Sequence, residues 1–237
     1  MKTQYATRLT ITFLLLMVFQ LGFAQKKSNS ELPPVYDFDY IYKLKMTHKK
    51  GEMSFDYYLK KGEKYFGFDS AEMSKSSPDT KMFMVMDNDL GVTAMFMEMM
   101  GKKIVQKSKL KGSDMIGDED SSKYTFTKID SKTILGHECE GFQSENDDIK
   151  VTFYITDDVP VSFNEIWGAN IKKLPKGFDP AWMKKYEENG LMMEMIFVDK
   201  KKSKNNMTME CVGLDTTDFS ISTSEYGSMM SALGGGN

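Results

Sequence analysis

The chain has 237 residues, with 31 basic and 34 acidic side chains, two histidines and two cysteines. A chain of this size buries roughly 70% of its unfolded surface in one domain or two small ones, so its core needs no metal or crosslink. The paucity of His and Cys excludes zinc ribbons, haem attachment and His-rich cages, and a net charge of −3 disfavours nonspecific nucleic-acid binding.

Met1 to Ala24 reads as a cleaved secretory signal: Lys2 and Arg8 lead, an apolar stretch runs from Leu9 to Phe19, and Gly22-Phe23-Ala24 supplies small residues for the peptidase. Thr10, Thr12 and Gln20 interrupt a run already short of the ~20 residues that span a bilayer. No Cys follows it to take a lipid. The expected product is periplasmic or secreted, with no transmembrane segment after cleavage. Residues 25–36 read as a flexible segment, 37–226 as a single β-rich domain and 227–237 as a disordered tail.

From Asp39 the pattern becomes strand-like. Tyr40, Tyr42, Leu44 and Met46 alternate with Lys43, Lys45 and Thr47, and Met53, Phe55, Tyr57 and Leu59 alternate with Ser54 and Asp56. Lys49-Lys50-Gly51-Glu52 and Lys60-Lys61-Gly62-Glu63 place turns eleven residues apart, the rhythm of an up-and-down antiparallel sheet. Further strands are expected at Lys81–Asp87, Val92–Met100, Lys123–Ile129, Thr133–Gln143, Ile149–Thr156, Leu191–Asp199, Met207–Leu214 and Asp218–Tyr226, with turns that include Asp130-Ser131-Lys132. Ile149, Val151, Phe153 and Ile155 against Lys150, Thr152 and Thr156 predict one inward and one wet face. Met82–Met86 and Val92–Met100 are apolar on both sides, so a second layer must cover the sheet there, and a helix is the expected lid. Asp179, Pro180 and Gly190 bracket a short helix over Pro180–Asn189. Lys102–Lys123 reads as a lysine-rich stretch ending in a long loop.

The stretch Lys132-Thr-Ile-Leu-Gly-His-Glu-Cys-Glu-Gly-Phe142, followed by Val151-Thr-Phe-Tyr-Ile-Thr-Asp-Asp158, resembles the family called domain of unknown function 4412. Lys81–Asp87 and Leu174-Pro-Lys-Gly-Phe-Asp-Pro180 are similar to it as well, so the resemblance covers most of the chain beyond the signal. The Ile-Leu-Gly-x-x-Cys core also looks like the GLPGLI family of exported proteins, but the Gly-Leu-Pro-Gly-Leu-Ile signature is absent here. The resemblance implies the fold of periplasmic lipoprotein carriers (LolA-like): a mainly β, α+β architecture in which a curved antiparallel meander forms a half-barrel with a short helical lid. It carries over no catalytic residue. Periodicity alone does not separate such a sheet from a closed barrel or a sandwich.

Methionine is the compositional oddity, at 21 residues. Met82, Met84 and Met86 share one strand face, as do Met95 and Met97, and polarizable, unbranched thioethers can remould around apolar guests. With Phe55 and Tyr57 they form the candidate binding surface for a lipid or acyl chain. Filling of an ordinary core is the competing explanation. A third use of sulfur is as a soft donor for Cu(I), for which Met46, His48 and Met53 are the local candidates, His48 lying opposite Met53 across a tight hairpin. Cys139 and Cys211 are the one possible disulfide pair of an exported chain, with two buried thiols as the alternative. No nucleophile elbow, phosphate loop or His-Glu-x-x-His motif occurs. The expectation is a non-enzymatic binding protein without cofactor, the alternatives being a Cu(I)-binding periplasmic protein or an envelope interaction module with a protein partner.

Overall fold

In the computed structural model, residues 31–69, 80–99, 101–110, 123–162, 185–186 and 190–228 are described. Alternation over 40–59 becomes a hairpin of β2 (Tyr40–His48) and β3 (Gly51–Leu59), and the meander continues through β4 (Tyr65–Asp69), β5 (Thr80–Asp87), β6 (Val92–Met99) and β7 (Lys102–Lys109). A second run comprises β8 (Thr125–Ile134), β9 (His137–Glu145), β10 (Ile149–Thr156), β11 (Leu191–Asp199) and β12 (Met207–Thr216). Short strands β1 (Val35–Asp37), β13 (Ser220–Ser222) and β14 (Gly227–Ser228) complete the set.

Twelve strands form one sheet in the order β14-β7-β6-β5-β4-β3-β2-β12-β11-β10-β9-β8. The two runs join through β12 and β2, which pair antiparallel from Met207↔His48 to Thr216↔Tyr40. The sheet is curved and open, and the described residues are mainly β and nearly helix-free, so the half-barrel expectation holds and a closed barrel is excluded. The main core lies on one side: Tyr42, Leu44, Leu59, Phe66, Leu191, Met193 and both cysteines are buried in it.

Several local expectations change. Lys102–Lys109 is a full strand, because β6 pairs with it residue for residue from Val92↔Lys109 to Met99↔Lys102. Asp130-Ser131-Lys132 is an irregularity inside β8 rather than a turn. The chain reverses at Leu135-Gly136, where φ is 51° and 86°, the left-handed pair that a two-residue hairpin requires. The wet face expected of β10 is dry at two positions, Thr152 and Thr156 being 8% and 1% exposed. The opposite face meets a smaller cluster instead, in which Phe153 packs on Phe126 and Phe142 beneath Tyr186.

The helical cover of the apolar strands is corrected too. β1 and β13 pair as a separate two-stranded sheet, Val35↔Ser222 to Asp37↔Ser220. They bury Tyr36, Phe38 and Ile221 against Val85, Ala94 and Phe96. A β-ribbon suffices because aromatic rings fill the gap: Phe38 and Phe83 meet edge-on at 5.7 Å and Tyr58 and Phe83 at 4.9 Å. The Tyr36 hydroxyl donates to buried Asp87 at 2.9 Å. Val35 and Tyr36, expected in a flexible segment, thus belong to the folded body, and Gly227–Ser228 pairs in parallel with β7. The predicted helix over Pro180–Asn189 lies outside the described residues except for Lys185 and Tyr186, which are helical.

Gly67 lies beneath two rings, since a Cβ there would run into that of Phe83 and touch Phe38 at 3.0 Å. Gly67→Ala should lower stability by about 1–3 kcal/mol, read as an earlier urea midpoint; an unchanged midpoint would show that the Phe83 ring does not press on this strand. Glu140 gives a pH-dependent case. Burial alone would raise its carboxyl, but bonds from Lys185 at 2.9 Å and Tyr186 at 2.7 Å, with Lys128 at 3.2 Å, outweigh that and pull it down to about 2. Since the folded pKa is depressed, this stabilisation is present above the unfolded value of 4.5 and is lost as pH falls toward about 2. Glu140→Gln should therefore destabilise at pH ~7 by about 1–3 kcal/mol, and the gap to the parent should close between about pH 4.5 and 2 in acid-titrated unfolding curves.

Candidate functional site

The β3–β6 end of the sheet has two unlike faces. Val85, Val92, Ala94 and Phe96 point to the back and are sealed by the β1–β13 ribbon or lie fully buried beside it. The other face, continuous with the main core, carries the residues expected to hold an apolar guest. Pairing sets them in register: Tyr57 faces Phe68, Phe68 faces Met84, and Met84 faces Met95, so one row of rings and thioethers crosses four strands. Met82 and Met97 form the next pair on the same face, and Met86 sits beside Phe66. Phe55 joins the row through Phe68, their rings 5.9 Å apart.

All seven predicted binding residues therefore fall on one surface. Met84 is buried, while Phe55, Tyr57, Met82, Met86, Met95 and Met97 are half-buried. Burial pushes the Tyr57 hydroxyl up to about 12, the sign of a low-dielectric surface around it. Phe68 was missed by sequence reasoning. Its strand is only five residues long and its alternation too brief to read, although Gly62 to Phe68 repeats the turn-then-aromatic layout of the preceding hairpin.

Neither of two cavities in the structure is lined by Tyr57, Phe68, Met84 or Met95. A cavity of about 430 Å³ lies elsewhere, between the β8 end and β11–β12, lined by Lys132, Ile134, Glu194, Glu210 and Cys211. Within it Lys132 reaches Glu194 at 2.5 Å and lies 4.3 Å from the Tyr154 ring centroid. A second cavity of about 360 Å³ opens on the back, lined by Tyr58, Phe83, Phe96, Phe219 and Tyr226 with a Lys103–Glu225 ion pair. Of the seven, only Met82 borders it.

The copper candidates are rearranged by the hairpin register. Lys49-Lys50 is the turn, so Met46 faces Met53 and His48 faces Gly51, whose φ of 138° lets the strand begin there. His48 Nδ1 accepts the Lys50 backbone N–H at 3.3 Å. His137 meets Asp158 at 3.4 Å, while Cys139, two residues on, is fully buried. Among the described residues no three of His, Cys, Asp and Glu gather into a metal-binding group.

The expected disulfide is not formed: Cys139 and Cys211 are both free and buried. They sit on β9 and β12 with β10 and β11 between, yet both face the same core, near enough for the Cys139 thiol to add to the upward push on that of Cys211. Each thiol donates to a nearby carbonyl instead, Cys139 to His137 and Cys211 to Gly213, both at 3.4 Å. Burial pushes both thiols up to about 11.

Comparison with known proteins gives a family match. A family model described as "Domain of unknown function (DUF4412)" matches residues 38–224. No curated protein matches the chain. Among solved structures, similarity extends to PNGF-II at 7% identity and TM-score 0.43, over 80% of this chain and 30% of that one, so the chain spans about a third of that protein's length. An uncharacterized conserved protein from Thermus thermophilus shares 8% identity at TM-score 0.40, with 79% and 83% of the two chains covered. A LolA superfamily protein from Nitrosomonas europaea shares 9% identity at TM-score 0.27, with 80% and 89% covered.

Free, buried thiols have a direct assay. Both cysteines should titrate with a disulfide-exchange reagent in denaturant without reductant and react at least tenfold more slowly in the native protein. A denatured protein with no titratable thiol would restore the disulfide.

Proposed function

The chain belongs to the domain of unknown function family DUF4412, and we propose that it is an exported, non-enzymatic protein that binds the acyl chain of a lipid on the Met–aromatic face of β3–β6. The observation that carries this reading is the unequal treatment of the two faces. The back carries a ribbon drawn from both ends of the domain, whereas Tyr57, Phe68 and Met95 in the row, and Phe55, Met82, Met86 and Met97 beside it, keep part of their surface accessible around a buried Met84. Half-exposed thioethers and rings in register offer an adaptable apolar strip; with strands ~4.8 Å apart, four strands make a track of about 14 Å. That suits a flexible hydrocarbon better than a rigid polar substrate, and among the described residues the track presents no carboxylate, imidazole or thiol to do chemistry. Export rests on the basic, apolar and small-residue pattern of Met1 to Ala24.

Organic extraction of the purified full chain followed by mass spectrometry should recover lipid, and a fluorescent fatty acid should bind saturably. Met95→Glu with Met97→Glu places charge on the strip and should weaken probe binding by about tenfold or more, with the β-sheet circular dichroism unchanged. Protein that is consistently empty and ignores the probe, or a folded double variant that binds as the parent does, would overturn the reading.

A further inference from the structure

A second methionine row lies on β3, β2, β12 and β11 beside the acyl track, which it adjoins at Phe55, two residues from Met53 on the same face of β3. Met53 faces Met46, Met46 faces Met209, and Met209 faces Met195, with no register shift among them. Directly paired residues lie on the same face of a sheet, so four thioethers stand side by side across four adjacent strands. Their Cβ atoms are ~4.5–5.5 Å apart. Three sulfurs around one metal ion at ~2.3 Å, a typical metal–sulfur length, sit about 4 Å from one another. Unbranched side chains close that difference without moving the backbone.

The surroundings favour a soft, weakly hydrated cation over a hard one. Met209 is 7% exposed and the other three are half-buried, which leaves an approach from solvent but little water. The Lys45–Glu210 pair belongs to the opposite face, since Glu210 faces Lys45 one residue along from Met209 and Met46. One step inward on the same face comes Cys211, opposite Leu44, its S–H already donated to Gly213. One step outward comes His48, opposite Met207, with Nδ1 occupied by the Lys50 N–H. In the neutral ring that bond puts the proton on Nε2, so His48 is not a ready ligand.

We infer that Met53, Met46 and Met209, on three adjacent strands, form a binding site for one Cu(I) ion. Neutral thioethers select a soft monovalent d¹⁰ ion and discriminate against Mg, Ca and Zn, which take oxygen, nitrogen or thiolate donors. Binding changes no oxidation state and releases no proton. Affinity should therefore be flat from about pH 5 to 8, where an imidazole or thiolate site would weaken on acidification.

The test is a competition titration of the full chain with Cu(I) against a chromogenic Cu(I) chelator under reducing, anaerobic conditions. One equivalent should be withdrawn from the chelator. Met46→Leu with Met209→Leu, near-isosteric and checked by circular dichroism, should weaken binding ~100-fold or more, whereas Cys139→Ser with Cys211→Ser should leave it unchanged. X-ray absorption of the Cu(I)-loaded parent protein should show three sulfur scatterers and serves as the readout if the double Met variant does not fold. Failure to compete, loss of binding in the serine variant, affinity that falls with pH, or nitrogen-dominated coordination would each overturn the assignment. None of these outcomes bears on lipid extraction, which reads the other row.

Discussion

The constraint from which the rest follows is that β4–β6 are apolar on both faces. Such strands cannot lie in a sheet with one wet side, so something in the chain must cover the second face. Here the cover is a ribbon made from residues at the two ends of the domain, Val35–Asp37 and Ser220–Ser222. Its contacts are ring on ring, anchored by the Tyr36–Asp87 hydrogen bond. Burying that bond leaves neither polar group unpaired, which would cost about 1–3 kcal/mol. With the back sealed, the opposite face is left to meet the main core over part of its area and to remain half-exposed over the remainder.

Much of the meander was legible. Ile149–Thr156 and Leu191–Asp199 begin and end where apolar alternation meets turn residues, and the structure has those same bounds. Lys102–Lys109 was not legible, because lysine spacing suggests solvent while the strand's stability comes from pairing with β6. The Leu135-Gly136 reversal was hidden for a related reason. Asp130-Ser131-Lys132 has the better turn chemistry, yet the chain turns where a leucine takes φ 51°, a conformation that costs a non-glycine residue roughly 1–2 kcal/mol. Pairing from Ile134↔His137 through Thr125↔Glu145 offsets it. The polar side of β10 misled because threonine can be buried when its hydroxyl is satisfied, as Thr156 Oγ1 is by the Asp158 N–H at 3.1 Å.

For the candidate site, sequence parity placed Met82, Met84, Met86, Met95 and Met97 correctly as face-sharing sets, since period two needs no tertiary information. What parity cannot supply is register between strands. Register turned these methionines into one row with Phe68, moved His48 from Met53 to Gly51, and brought Met209 and Met195 into line with Met46. The two methionine rows thus differ in company: the first is interleaved with rings, the second with other thioethers. The neighbours across the strands, not the thioether itself, decide what each methionine meets.

The β1–β13 ribbon joins positions nearly the full domain apart, Val35 to Ser222. Contacts of that sequence separation are slow to form, and during synthesis the last layer cannot close until the C-terminal strand has emerged. Until that ribbon closes, Val85, Ala94 and Phe96 lack their cover, so the back of the sheet stays apolar and open to water for as long as the C-terminal strand is missing.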